Sequence, residues 1–329
     1  MPATTRDQLV SDWVAQRFPN QNVQITPASA DASFRRYFRL TWPDGTTRIL
    51  MDAPPEKEDC KPFIHVAGLL AKADLAAPRI LDKDLDNGFL VLTDLGRIGY
   101  LDALNADLSL ADTLMRPVLD VLIAWQLSTR ASTLPPYDAT LLRRELELFP
   151  EWYVRRHLGI ELDTHQRALW QRVSDHLIDS ALAQPKVLVH RDYMPRNLMI
   201  SEPNPGVLDF QDAVYGPVTY DITCLFKDAF LSWPQARVRG WQRGYWERAR
   251  ALGVPVQASF DDFLRASDLM GVQRHLKVIG IFARICHRDG KPRYLADVPR
   301  FFAYIEAVLA ERPELSELGE LLDSLRQPA

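Results

Sequence analysis

The segment from Val187 to Asp212, VLVHRDYMPRNLMISEPNPGVLDFQD, constrains this chain more than any other. Its apolar runs, Val187–Val189, Leu198–Ile200 and Val207–Leu208, are too short for helices and are punctuated by Pro203, Pro205 and Gly206. They read as short strands joined by polar loops. Asp192, Asn197 and Asp209 fall at the ends of these strands. Two carboxylates and a carboxamide are costly there unless something cationic or reactive meets them.

The rest of the chain falls into two characters around that segment. Ahead of it, VQITPA, FRRYFRLTW and TTRILMDA are extended patterns, and Pro43-Asp44-Gly45 supplies a hairpin turn between the last two. A helix follows over Lys61–Ala73, with Phe63, Val66, Leu69 and Leu70 at helical spacing. His65 on it reads as a core or surface histidine. Two more strands, Pro78–Leu81 and Gly88–Thr93, flank a charged turn over residues 82–87. After Tyr100 the pattern is helical: Leu108–Leu127 despite Pro117, Thr140–His157 interrupted at Pro150, and Thr164–Ala183. Beyond the central segment come Trp241–Leu252, two helices over Ser259–Arg288, and Pro299–Leu309 before a polar tail. The expectation is an α+β fold of two lobes: a small antiparallel sheet over residues 1–95, and a helical lobe over residues 96–329 that carries the central segment.

Charge excludes one class of partner. The net charge is −4, with Lys and Arg scattered among Asp and Glu, so there is no basic stripe for nucleic acid. Cys60, Cys224 and Cys286 have no metal-ligand spacing and read as reduced thiols. The N-terminus lacks a charged head followed by an apolar run and reads as a helix capped near Thr4 or Thr5. No apolar run approaches the ~20 residues that span a bilayer. The expected setting is a cytoplasmic monomer.

Asn197 lies five residues beyond Asp192, and Asp209 twelve beyond Asn197. Phosphoryl transfer from ATP needs a carboxylate near the acceptor hydroxyl and two oxygen ligands for magnesium, and these residue types fit. Hydrolysis with Asp192 and Asp209 as acid and base is the competing chemistry, but it explains neither Asn197 nor the sheet lobe. The runs His190-Arg-Asp-Tyr-Met-Pro-Arg-Asn197-Leu and Asp209-Phe-Gln-Asp212 resemble the catalytic loop and magnesium motif of the protein-kinase-like superfamily. With the tail from Asp212 through Gly216-Pro217 to Asp221, they look like its aminoglycoside phosphotransferase and choline kinase branch.

The resemblance implies roles residue by residue. Asp192 becomes the base or hydroxyl-orienting residue, and Asn197 and Asp209 the metal ligands. His190, Phe210 and Asp221 become scaffolding. Leu92, Thr93, Asp94 and Leu95 become the hinge that meets adenine. The small-residue loop of Ser29, Ala30, Asp31, Ala32 and Ser33, with Arg35 behind it, would cover the phosphates; read as structure alone, it is a hairpin turn. One departure stands out: Met51 occupies the place of the family's phosphate-contacting lysine, and the following helix has no glutamate to pair with one. Arg35, Arg36, Arg48 or Lys57 could supply the cation; the alternative is a non-catalytic nucleotide-binding module.

Acceptor choice falls to Tyr137–His157, Arg196 and the basic helix GVQRHLKVIGIFARICHRDGK of residues 271–291. That helix is either a solvated charged face or the wall of a pocket for a neutral or anionic acceptor. Aminoglycosides and choline would call for carboxylates or an aromatic cage. Residues 30–39, the Met51–Pro55 run and the basic helix together resemble the bacterial anomeric sugar kinases of cell-wall recycling, which act on N-acetylmuramic acid and N-acetylglucosamine. That resemblance implies a sugar 1-kinase using ATP and Mg²⁺, for which the lactyl carboxylate of muramic acid would welcome an arginine, Arg196 or Arg274; Glu145, by its charge, is a further candidate for the wall of the acceptor pocket.

Overall fold

A computed structural model describes residues 5–30, 34–128 and 133–326. In chain order the elements begin with α1 (Arg6–Arg17), β1 (Gln24–Ala30), β2 (Arg36–Thr41), β3 (Thr47–Asp52), α2 (Lys61–Lys72), β4 (Ile80–Asp84) and β5 (Phe89–Thr93). Then come α3 (Tyr100–Ala106), α4 (Ala111–Leu127), α5 (Ala139–Leu146), a π-helical stretch (Phe149–Leu158) and α6 (Thr164–Leu182). The central segment supplies β6 (Lys186–Val189), β7 (Leu198–Met199) and β8 (Gly206–Val207), and β9 (Val214–Pro217) follows. The chain ends in α7 (Tyr220–Phe226), α8 (Gln235–Leu252), α9 (Phe260–Asp289), α10 (Val298–Leu309) and α11 (Ser316–Arg326). Two compact units result, Met1–Val121 with Asn197–Asp212, and Leu122–Arg196 with Ala213–Ala329. No described helix is long and apolar enough to cross a membrane.

The first unit is built on an antiparallel sheet of order β1-β2-β3-β5-β4. The Asp44-Gly45 turn sets the β2–β3 register, Leu40 opposite Arg48, and Gly45 takes the φ of +86° that this turn demands. Thr5 caps α1 by accepting from the Gln8 N–H. Val10, Trp13 and Val14 of α1 then pack with Leu40, Leu50, Phe89 and Val91, one face of the sheet. Alternation along the strands sends Met51, Leu90 and Leu92 to the other face, all fully buried. The charged residues expected to form a turn, Asp82 to Asp84, instead continue β4 as an edge strand, where charge is tolerated. Within this unit β7 and β8 form a small hairpin, Leu198 opposite Val207, tied down by the Val207 N–H donating to Ala76 O at 2.7 Å.

The second unit is helical around the β6–β9 pair. The sequence did not single out β9, because Val-Tyr-Gly-Pro carries turn residues; only pairing with buried β6 makes it a strand. Three further expectations change here. Residues 260–289 form one helix of 30 residues instead of two. The interruption expected at Pro150 falls slightly earlier, at Glu147 between α5 and the π-helical stretch, and Pro150 itself sits in the first turn of that stretch, where its missing N–H costs nothing. The polar tail contains α11, whose Leu318, Leu321 and Leu322 are buried.

Gly271 and Gly280 make the long helix α9 possible as a central strut. A Cβ at Gly280 would lie 2.4 Å from the Leu148 carbonyl carbon and oxygen, and one at Gly271 would lie 3.2 Å from Thr223 Cγ2. The helix therefore packs backbone against backbone ahead of the π-helical stretch. Gly280→Ala should destabilise by about 1–3 kcal/mol through overpacking. A lowered thermal midpoint for the second unit is the expected result, and an unchanged one would show the contact to be looser than drawn.

Candidate active site

In the second unit the site begins where β6 ends. Val187 to Val189 are buried, and the chain then leaves the strand pair with no partner strand for its next N–H groups. Asp221, in the first turn of α7, supplies the acceptors: its Oδ2 takes the His190 N–H at 2.7 Å and its Oδ1 takes the Arg191 N–H at 2.9 Å. Burial pushes this carboxyl up to about 7, opposed by the two N–H groups. One residue on, Asp192 donates its N–H to His190 Nδ1 at 3.2 Å, and the imidazole packs edge-on against Tyr193. The half-buried Asp192 side chain is thus carried on a loop fixed from both sides.

Arg191 is fixed as well. Its φ is +77°, left-handed backbone that costs a non-glycine residue on the order of 1–2 kcal/mol. What offsets that cost is the guanidinium, which donates to Glu145 on α5 and lies 5.7 Å over the Tyr137 ring. Glu145 also takes Lys277 Nζ at 3.0 Å, Gln273 Nε2 at 3.4 Å and the Tyr137 hydroxyl. Burial alone would raise the Glu145 pKa, but Lys277 and Arg191 bring it down to about 2, so it is ionised at neutral pH. A carboxylate with these four partners positions Arg191; this is where the structure puts a residue that the sequence assigned to the acceptor.

Of the two arginines assigned to the acceptor, Arg196 is exposed and lies 5.3 Å over the Phe230 ring, while Arg274 is only 4% exposed. The Arg274 charge is felt by Asp221 and in turn feels Asp192. The basic helix is divided: Gln273, Arg274, His275 and Lys277 are all buried, whereas His287, Arg288 and Lys291 at its far end are exposed. Lys277, Gln273 and Tyr137 lie in the stretches assigned from the sequence to acceptor choice, but none was singled out as a partner of Glu145. The available signal was the set Leu276, Ile279, Gly280, Phe282 and Ala283, which surrounds those polar residues with apolar ones on every side of the helix.

In the first unit, Asn197 and Asp209 come together on the β7–β8 hairpin. The Leu208 N–H donates to Asn197 O at 2.9 Å, and Asn197 Nδ2 reaches Asp209 Oδ2 at 3.4 Å. Asp209 has φ +59°, and its Oδ1 accepts from Gln211 Nε2 at 2.9 Å. Phe210 is fully buried with its ring 4.7 Å from Phe63 of α2. One carboxylate and one amide oxygen suit a hard cation that keeps water and phosphate ligands, the habit of Mg²⁺. Among the described residues no three His, Cys, Asp or Glu gather as a protein-only metal cage.

The segment after β5 is held by its own side chains. Thr93 pairs with Arg79 through both its N–H and its hydroxyl. Asp94 takes a two-pronged bond from Arg39, at 2.6 and 3.0 Å, and Arg39 also donates to Gly96 O. Leu95 packs so closely on β8 that a Cβ at Gly206 would meet its Cδ1 at 2.8 Å. Leu92 is a buried strand residue. Ser29 and Ala30 close β1, whereas Asp31, Ala32 and Ser33 lie outside the described residues. Arg35 sits 3.8 Å from Glu58. Met51 is buried between Tyr37 and Leu90, and the next residue, Asp52, is clamped by Arg6 and Arg36. Of the other cations considered, Arg48 lies over Trp42 and Lys57 over Phe34.

Comparison with known proteins bears directly on this arrangement. The profile of the phosphotransferase enzyme family matches residues 24–253. The chain is 64% identical over 307 residues to the N-acetylmuramate/N-acetylglucosamine kinase of Pseudomonas aeruginosa, covering 93% of this chain and 90% of that protein. It is 66% identical over 306 residues to the protein of the same name in Pseudomonas putida, covering 93% and 89%. A crystal structure of a choline/ethanolamine kinase family protein from Mesorhizobium loti superimposes with a TM-score of 0.64 at 13% identity, covering 98% of this chain and 99% of that one. That last likeness carries the fold alone, the protein-kinase-like α+β architecture to which the two motifs pointed. A profile spanning most of the chain and relatives sharing about two thirds of its residues leave one conclusion: the chain belongs to the phosphotransferase enzyme family.

Proposed function

We propose that this enzyme is an ATP-dependent kinase that phosphorylates the anomeric hydroxyl of an amino sugar, N-acetylmuramate or N-acetylglucosamine, for the recycling of peptidoglycan in the cytoplasm. The observation that carries the reading is the loop pinned by Asp221 and Glu145, which presents Asp192 on rigid backbone. The names of the relatives at 64% and 66% identity supply the substrate class. Charge supports it too. The one carboxylate of α5 that could meet a cationic acceptor, Glu145, is already engaged by Arg191 and Lys277. Arg196 and Arg274 would instead suit a neutral or anionic acceptor, with exposed Arg196 assigned to a lactyl carboxylate.

The chemistry follows from these roles. The sugar's anomeric oxygen attacks the γ-phosphorus of ATP, forming the new O–P bond as the bond to the β-phosphate oxygen breaks and ADP leaves. Asp192 orients the hydroxyl and takes its proton. Asn197 and Asp209 would hold Mg²⁺, which when bound neutralises phosphate charge. The hinge from Leu92 to Leu95 is assigned to adenine, and the loop from Ser29 to Ser33, with Arg35, to the phosphates. The acting unit is a monomer that uses only small molecules.

The reading is tested by incubating the enzyme with ATP, Mg²⁺ and a panel of acceptors and following products by ³¹P NMR. A sugar 1-phosphate from N-acetylmuramate or N-acetylglucosamine is expected; turnover of cationic alcohols alone would refute the assignment. Asp192→Asn should lower kcat by about 10²–10⁴-fold while nucleotide binding is retained. Wild-type kcat in that variant would mean the base is another residue. Asp209→Asn should raise the Mg²⁺ concentration needed for half-maximal rate, whereas an unshifted Mg²⁺ titration would remove Asp209 from the metal site.

A further inference from the structure

Two buried charged side chains of the second unit, of opposite sign, carry polar atoms without hydrogen-bond partners among the described residues. Asp228, 1% exposed just after α7, gives its Oδ1 to the N–H groups of Phe230 and Leu231, both at 2.7 Å, which folds the 228–231 turn. Its Oδ2 is buried without a partner. On α9, Arg274 has both Nε and Nη1 buried without a partner. A buried charged group with atoms left this way is destabilising, so each orphan calls for a partner from outside the described residues.

Their surroundings say where that partner comes from. Arg274 and Asp228 lie within Coulombic reach of each other, and Arg274 within reach of Asp192 as well. The turn that Asp228 folds carries Phe230, the ring beneath Arg196 at the end of the same loop as Asp192. Arg274 thus feels the charge of the assigned base, and Asp228 shapes the turn whose ring stacks with Arg196. Together they call for a group that accepts from a guanidinium and donates to a carboxylate. A secondary amide does both through one rigid, neutral plane, with its carbonyl oxygen and its N–H on opposite sides.

We propose that Asp228 and Arg274 form the subsite that reads the acceptor's acetamido group, Asp228 Oδ2 accepting its N–H and the Arg274 guanidinium donating to its carbonyl oxygen. This inference rests on the amino-sugar reading above and adds to it the residues that would separate N-acetylated sugars from those with a plain hydroxyl at C2. A site built to hydrogen-bond a group rejects analogues lacking it far more strongly than an apolar pocket rejects an extra methylene, because its own polar atoms are left unpaired.

The test compares N-acetylglucosamine with 2-O-acetylglucose, which keeps the carbonyl but places an ester oxygen where the N–H was. The wild-type enzyme should favour the amide in kcat/KM by at least about tenfold. Asp228→Asn keeps an oxygen for the two backbone N–H groups and turns an NH₂ toward the sugar, so the amide-to-ester ratio should fall to near unity or invert. Asp228→Ser, which also keeps an oxygen for the turn, should lower the ratio in the same direction. Equal handling of amide and ester by the wild-type enzyme would overturn the subsite, as would a wild-type ratio in a folded Asp228 variant. Failure of the wild-type enzyme to phosphorylate N-acetylglucosamine, its ester analogue and N-acetylmuramate alike would instead sink the kinase assignment, so the two failures are separable.

Discussion

A single dry carboxylate organises the loop that carries Asp192. Asp221 has no exposed surface, and its two oxygens meet the N–H groups of His190 and Arg191 where the chain leaves β6. Unpaired, those two N–H groups would sit in a low-dielectric interior at a cost of 1–3 kcal/mol or so each. Paired, they fix the direction of the loop that follows. The left-handed turn at Arg191 is then sustained by its guanidinium bond to Glu145, and Glu145 is in turn held ionised by Lys277 from α9. Loop geometry is therefore set by charges buried two elements away, which is how a half-exposed Asp192 can be carried on rigid backbone.

That dependence explains what could and could not be read from the sequence. The motif residues stood out because phosphoryl transfer would call for those types at those spacings, and the β2–β3 hairpin was legible because Asp44-Gly45 is a local signal. The Thr5 cap was legible for the same reason. The helix α9 was not, since Gly271 and Gly280 look like breaks until Thr223 and Leu148 are seen against them. Nor was the burial of Gln273, Arg274 and Lys277, because a charged residue on a helix reads as solvated unless its partners, distant in sequence, are known. Glu145 was singled out from its charge, and only the fold reveals how many neighbours share it.

The sheet unit carries a different lesson. A buried methionine, Met51, occupies β3 where a phosphate-contacting lysine was expected, and its neighbour Asp52 gathers Arg6 and Arg36. These arginines are engaged by a carboxylate with no exposed surface, so they brace α1 and β2 rather than stand as loose cations. Asp94 and Arg39 similarly fix the segment after β5. The features of this unit assigned to the nucleotide were the least legible, because local pattern gave the strands and the turn but not which cation is committed where.

The central claim is that the buried Asp221 carboxylate sets the loop that presents Asp192. Its most direct test is the turnover of folded Asp221→Asn, in which one oxygen and one NH₂ face two N–H donors. The account predicts a kcat lower by about 100-fold or more with the KM for ATP little changed. A folded variant that turns over at the wild-type rate would contradict it.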